Sequence, residues 1–186
     1  DPYYIKQSYL GEDTITKIII PEGVTDINSY AFAGLTALQE VVLPSTLKRI
    51  GTFAFFGCTK LDSINLENVK FINERAFAQC GLSSVDLSSV NAIGNYSFAF
   101  NKLTSLTLPE SSQSLGIGAF YKNEYLEKVT FNAPKIKVGS MVFAGCSKLK
   151  SVEINAAVVS SEAFLDCSSL TDVTLGKDVA VIGDNA

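Results

Sequence analysis

The chain has 186 residues, 47% of them hydrophobic and 18% charged, with a net charge of −4 and neither His nor Trp. This is the composition of a folded, core-forming chain, and scattered lysines in an acidic background argue against nucleic acid or an anionic membrane as partner. The missing His removes the commonest general base and transition-metal ligand, and no apolar run approaches the roughly 18 residues of a transmembrane helix.

Residues 1–14 fit no repeat. They hold Tyr3, Tyr4 and Tyr9, and Gly11-Glu12-Asp13 reads as a turn. A terminal solenoid coil leaves its core open, so this stretch is expected to be a partial N-terminal cap. It lacks the basic and apolar regions of a signal peptide. From residue 15 to 186 the chain reads as one repeating domain. A strand signal, L-x-x-V-x-L, is centred at Ile18, Val41, Ile64, Val85, Leu106, Val129, Val152 and Val173, at intervals of 23, 23, 21, 21, 23, 23 and 21. An Ala-Phe signal places Phe32, Phe55, Phe77, Phe98, Phe120, Phe143 and Phe164 at intervals of 23, 22, 21, 22, 23 and 21. Seven of twelve Phe at one repeat position identify a solenoid.

Within each coil the strand alternates. Ile64 and Leu66 share one face while Ser63 and Asn65 point to the other. Similar coils force successive strands to run the same way, so a parallel sheet of eight strands is expected. Pro21, Pro44 and Pro109 follow three strands and stop them at the corner. The return half carries Ile27, Ile50, Ile72, Ile93, Leu115, Val138 and Val159, each five residues before its Phe. Ser, Asn and Glu ahead of Ala-Phe suit the start of a helical turn, so one or two turns of helix are expected there, with room for a short strand at the Ile-Gly segment. Glu110 to Ser114 lacks the Val or Leu that precedes the next such segment and reads as a polar corner bulge. The last repeat stops where its Phe would fall and reads as truncated.

The pattern Ile50-Gly51, Ala54-Phe55, Cys58, Leu61, Ile64, Leu66, repeated as Val138-Gly139, Phe143, Cys146, Leu149, Val152, Ile154, resembles the BspA-like (Treponema pallidum type) leucine-rich repeat of bacterial surface proteins. The resemblance spans residues 15–186. Leu35, Asn101 and Asn123 depart from it in place of Cys, and Ser97 and Val142 in place of Ala. The fold it implies is an α/β repeat: a right-handed leucine-rich-repeat solenoid with one parallel β-sheet, short helical or irregular returns, and about seven coils of 21–23 residues. It also implies a secreted or cell-surface protein, often adhesive toward host proteins.

Candidate sites are few. Cys58/Cys80 and Cys146/Cys167 lie in adjacent coils, close enough for disulfides or a shared metal; the reading preferred, supported by Leu35 at the same position, is that all four are unpaired structural thiols filling a buried apolar position. No C-x-x-C, G-x-S-x-G elbow or phosphate-binding Gly loop occurs, so no enzyme, cofactor or metal is expected. Two surfaces are candidates for ligand contact. One is the sheet face expected to be concave, with outward residues Val42, Asn65, Asp86, Thr107, Thr130, Glu153 and Thr174. The other is an aromatic row two residues before the repeat Phe, formed by Tyr30, Phe53 and Tyr96 and interrupted by Arg75. Phe56, Phe100 and Tyr121 lie near it in sequence. The function implied by the resemblance is binding of a protein or glycan on host or neighbouring cells; the alternative is a spacer that displays other domains and has no ligand.

Overall fold

A computed structural model describes residues 14–186, so the expected cap over residues 1–14 lies, but for Thr14, outside the described residues. The strands in chain order are β1 (Lys17–Ile19), β2 (Asp26–Ile27), β3 (Glu40–Val42), β4 (Arg49–Ile50), β5 (Phe71–Ile72), β6 (Ala92–Ile93), β7 (Ser105–Leu108), β8 (Ser114–Leu115), β9 (Lys128–Val138), β10 (Ser151–Val159), β11 (Asp172–Leu175) and β12 (Val181–Ile182). Every pairing among them is parallel. The chain is a parallel β-solenoid of about seven turns.

The sheet differs from the single eight-stranded one expected. The continuous ladder lies on the Ile-Gly side, where β2, β4, β5, β6, β8, β9, β10 and β12 pair in succession. The leucine-rich side is interrupted. There β1 pairs with β3, and β7, β9, β10 and β11 pair with one another, but the segments around Ile64 and Val85 form no ladder. The outward residues of those two coils explain the break. The Oδ1 atoms of Asn65 and Asp86 accept hydrogen bonds from the amides of Glu67 (3.0 Å) and Ser88 (2.8 Å), two residues on. Such local turns compete with the ladder for the backbone.

The expected helical turns around Ala-Phe are absent: among the described residues there is no helix, and none long and apolar enough to cross a membrane. The backbone amides have gone elsewhere. From Phe32 to Phe143, the residue two before each repeat Phe, the Phe itself and the residue two after it donate sideways to carbonyls of the next coil, as Phe53 does to Glu74 (2.9 Å), Phe55 to Ala76 (2.8 Å) and Gly57 to Ala78 (3.0 Å). A helix would spend the same N–H groups on its own carbonyls four residues back. Turning them outward requires left-handed backbone at both flanking positions. The first of these is occupied by Tyr30, Phe53, Arg75, Tyr96, Gly118, Met141, Glu162 and Asn185, with φ between 50° and 63°.

Between the two ladders runs the core. Phe55, Phe77, Phe98, Phe120 and Phe143 are fully buried, and the seven repeat Phe stack in one column with centroids 5.2–5.8 Å apart. The Gly of Ile-Gly has a packing reason. A Cβ at Gly51 or Gly94 would fall 2.6 or 2.7 Å from backbone of the preceding coil.

Glu110 to Ser114 forms no bulge. The Ser112 amide donates to Pro109 O (3.1 Å), the same turn that Leu47 makes on Pro44 and Val90 on Leu87. Ser112 therefore stands in an apolar register position, buried, with a hydroxyl that has no partner. Ser112→Val is expected to raise stability by about 1 kcal/mol, because it removes an unsatisfied buried polar group; a higher urea midpoint with unchanged slope is the check.

Candidate functional site

All four cysteines are buried and unpaired. Each donates its thiol to the carbonyl of the repeat Phe one coil back: Cys58 to Phe32 (3.3 Å), Cys80 to Phe55 (3.1 Å), Cys146 to Phe120 (3.5 Å) and Cys167 to Phe143 (3.2 Å). Asn101 and Asn123 do the same through Nδ2, to Phe77 (2.8 Å) and Phe98 (2.9 Å). In six of the seven coils the position thus holds a buried donor, Leu35 of the first coil being the exception, which accounts for the Cys-to-Asn exchange better than apolar filling does. Burial pushes the Cys80 thiol well up, Cys146 up to about 12 and Cys167 up to about 11. These are poor nucleophiles. In native protein at pH 8 Cys80, Cys146 and Cys167 are expected to resist iodoacetamide and to react once unfolded. Unfolded, these three thiols ionise from about pH 8.5, whereas folded they stay protonated, so their contribution to stability is complete below that pH and declines as pH rises toward 12. Urea midpoints at pH 8 and pH 10 measure the decline.

The strand-face candidates do not form one continuous row. Thr107, Thr130, Glu153 and Thr174 are in register on neighbouring strands, and Val42 lies beside Ile19. Asn65 and Asp86 sit in the interruption, where a cleft of about 450 Å³ is lined by Gln39, Glu40, Ser63, Ile64, Ser84 and Val85 along with them. The Ser88 amide holds the Asp86 carboxyl below the usual carboxylate range. Two ion pairs lie beside the row, Lys17–Glu40 (2.7 Å) and Lys150–Glu127 (3.0 Å).

The turn face is different. Tyr30 and Phe53 stack at 5.0 Å with rings 6° from parallel. Arg75 does not interrupt the row. Its guanidinium lies 5.5 Å from the Phe53 ring centre and 5.0 Å from that of Tyr96, bridging the two, while its Nη1 pairs with Glu74 at 2.6 Å. Tyr96 then crosses to the next coil. Its ring lies over Gly118, where a Cβ would overlap it, and meets Tyr121 at 6.1 Å, 83° from parallel. Phe100 meets Tyr121 at 5.4 Å and 77°, and Lys122 lies over both rings, 5.9 and 5.6 Å away. Tyr30 and Phe100 remain 51% and 44% exposed. A groove of about 380 Å³ opens among Phe56, Arg75, Ala78, Gln79, Tyr96, Ala99, Phe100, Tyr121 and Met141. The sequence reading found the aromatic row but missed Gln79, Lys122 and Met141, whose placement follows from left-handed turns that carry no sequence signal at such residues.

Stacked parallel coils of 21–23 residues, a Phe column and a leucine-rich strand side define a leucine-rich-repeat solenoid. The BspA type leucine-rich repeat region matches in six copies over residues 4–89 and 70–186, and the chain belongs to that family. A leucine-rich repeat protein from Bacteroides ovatus ATCC 8483 shares the fold with a TM-score of 0.86 and 34% identity, over 92% of this chain and 45% of its own. The T. pallidum leucine-rich repeat protein TpLRR is similar at a TM-score of 0.61 and 28% identity, covering 91% of this chain and 73% of its own. The pneumococcal vaccine antigen PcpA shares the fold at 0.53 and 22% identity, over 92% and 57%. The chain thus spans less than half the length of the Bacteroides ovatus protein. No curated protein sequence matches the chain.

Proposed function

We propose that this solenoid is a non-enzymatic binding domain, secreted or displayed at the cell surface, that attaches to a protein or glycan on host or neighbouring cells through its turn face. One observation carries the reading. Left-handed backbone costs a residue other than Gly about 1–2 kcal/mol, and this chain's own turn accepts Gly or Asn there, as at Gly118 and Asn185. Yet four such positions hold Tyr30, Phe53, Tyr96 and Phe100, and two of these rings stay about half exposed, so burial does not offset the cost. Aromatic rings that cost stability at an exposed patch fit a stability–function trade-off.

The test is surface plasmon resonance of the purified domain against immobilised extracellular-matrix proteins and glycans. Saturable binding that is lost in Tyr30→Gly/Phe100→Gly and kept in Asp86→Asn/Glu153→Gln supports the reading. Binding lost only in the strand-face variant would move the site to the sheet. Uniform absence of binding would make the domain a spacer.

A further inference from the structure

The groove on the turn face has a shape and a charge that narrow its ligand. The residue after each repeat Phe runs Ala33, Phe56, Ala78, Ala99, Tyr121, Ala144, Leu165 along the coils. Buried Ala78 and Ala99 therefore form a low floor between Phe56 and Tyr121. Those two end walls are three coil steps apart, roughly 14 Å, which is the length of about four residues of extended chain. Tyr96 and Phe100 stand nearly perpendicular to Tyr121, so the rings enclose a corner for an apolar knob instead of offering one flat platform for a sugar ring.

Charge points the same way. The groove is lined by no carboxylate, and its one cation, Arg75, is paired with Glu74, in a chain whose net charge is −4. Lys122 lies across the Phe100 and Tyr121 rings beside it and has no ion pair among the described residues. An apolar groove with the Lys122 ammonium at its rim selects a partner that is apolar and anionic.

We infer that this groove seats an extended polypeptide segment that presents a Phe or Leu side chain to the Ala78–Ala99 floor and a neighbouring carboxylate to Lys122. The inference rests on the turn face being the binding surface. The ligand's apolar side chain fills the corner formed by Tyr96, Phe100 and Tyr121, and its carboxylate meets the ammonium at the rim. Contact with the rings supplies affinity, and Lys122 supplies selection by charge.

Fluorescence anisotropy tests this with three probes: a labelled hexapeptide alternating Phe or Leu with Glu, the same peptide with Lys for Glu, and a labelled oligogalacturonate. The Glu peptide is expected to bind saturably and the Lys peptide about tenfold or more weakly, a difference of one favourable charge contact. Lys122→Glu, an exposed substitution that leaves the core untouched, is expected to reverse that order, and Phe100→Gly to abolish binding of both. Equal binding of the two peptides overturns the proposal, as does saccharide binding without peptide binding or indifference to Lys122→Glu. If the Glu peptide fails while Phe100→Gly still loses attachment to matrix proteins, the groove's ligand is misassigned and the turn-face reading stands. If neither binds, both fall.

Discussion

Phe77→Ala is expected to destabilise the solenoid by about 3–5 kcal/mol, the range of a large-to-small change in a core that cannot collapse. Phe77 is fully buried and stacks on Phe55 at 5.2 Å and on Phe98 at 5.4 Å, so truncation removes two ring contacts and opens a void between rigidly bonded coils. The sideways hydrogen bonds of Phe77 and its neighbours hold those coils at fixed spacing, which limits relaxation into the gap. Because each coil touches only its neighbours, the lost interface also weakens coupling between the two halves of the array. Urea unfolding followed by far-ultraviolet circular dichroism should show a lower midpoint and a broadened transition. Phe164→Ala, at the partly exposed end of the column, should cost less than half as much. Equal midpoints for parent and Phe77→Ala would remove the Phe column from the account of stability.

Asn101→Ala is expected to cost about 3 kcal/mol through a different mechanism. The Asn101 amide donates to Phe77 O (2.8 Å) and Phe98 O (3.1 Å) and accepts from Leu82 N (3.1 Å), all buried. Truncation orphans groups that each cost about 1–3 kcal/mol when left unsatisfied. Asn101→Cys restores the donor that four other coils use and should recover about half of the loss. Hydrogen exchange supplies an independent check, since the Leu82 amide should lose protection in Asn101→Ala before the rest of the coil. An Asn101→Cys variant as unstable as Asn101→Ala would show that the thiol contacts of Cys58, Cys80, Cys146 and Cys167 contribute nothing.

Much of this architecture is legible in the sequence because it depends on side-chain identity at fixed spacing. The 21–23-residue intervals place every repeat Phe in the column and every strand-centre residue on the leucine-rich side. What is not legible depends on where backbone amides go. Ser29, Asn73 and Glu74 look like helix-start residues, but the turn they open sends its N–H groups to the next coil, so no helix forms. Asn65 and Asp86 read as ordinary outward strand residues; their short side chains instead cap their own turns and break the ladder. Ser112 looks like an insertion because it is polar, although its backbone keeps the register of Leu47 and Val90.

The binding surface follows the same division. Tyr30, Phe53 and Tyr96 are visible as a row at one repeat position. Left-handed φ at aromatic residues is unfavourable enough that no sequence rule would place it there, and Arg75 reads as a gap because its bridging of Phe53 and Tyr96 depends on that geometry. On the strand face the sequence places Thr107, Thr130, Glu153 and Thr174 in their row, yet it gives no sign that Asn65 and Asp86 are absent from it.

The claim that the turn-face aromatics are held for contact and not for stability is tested most directly by the unfolding free energy of Phe100→Gly. Glycine relieves the φ of 59° at this position and keeps the backbone hydrogen bond to Tyr121 O (2.8 Å), while the ring it removes is 44% exposed. Release of left-handed strain, about 1–2 kcal/mol, offsets the edge contact with Tyr121 and the Lys122 interaction, each about 0.5–1 kcal/mol. The variant should therefore be as stable as the parent within about 0.5 kcal/mol, or more stable. A loss of about 2 kcal/mol or more, the range for a ring that is part of the core, would make Phe100 structural and contradict the account.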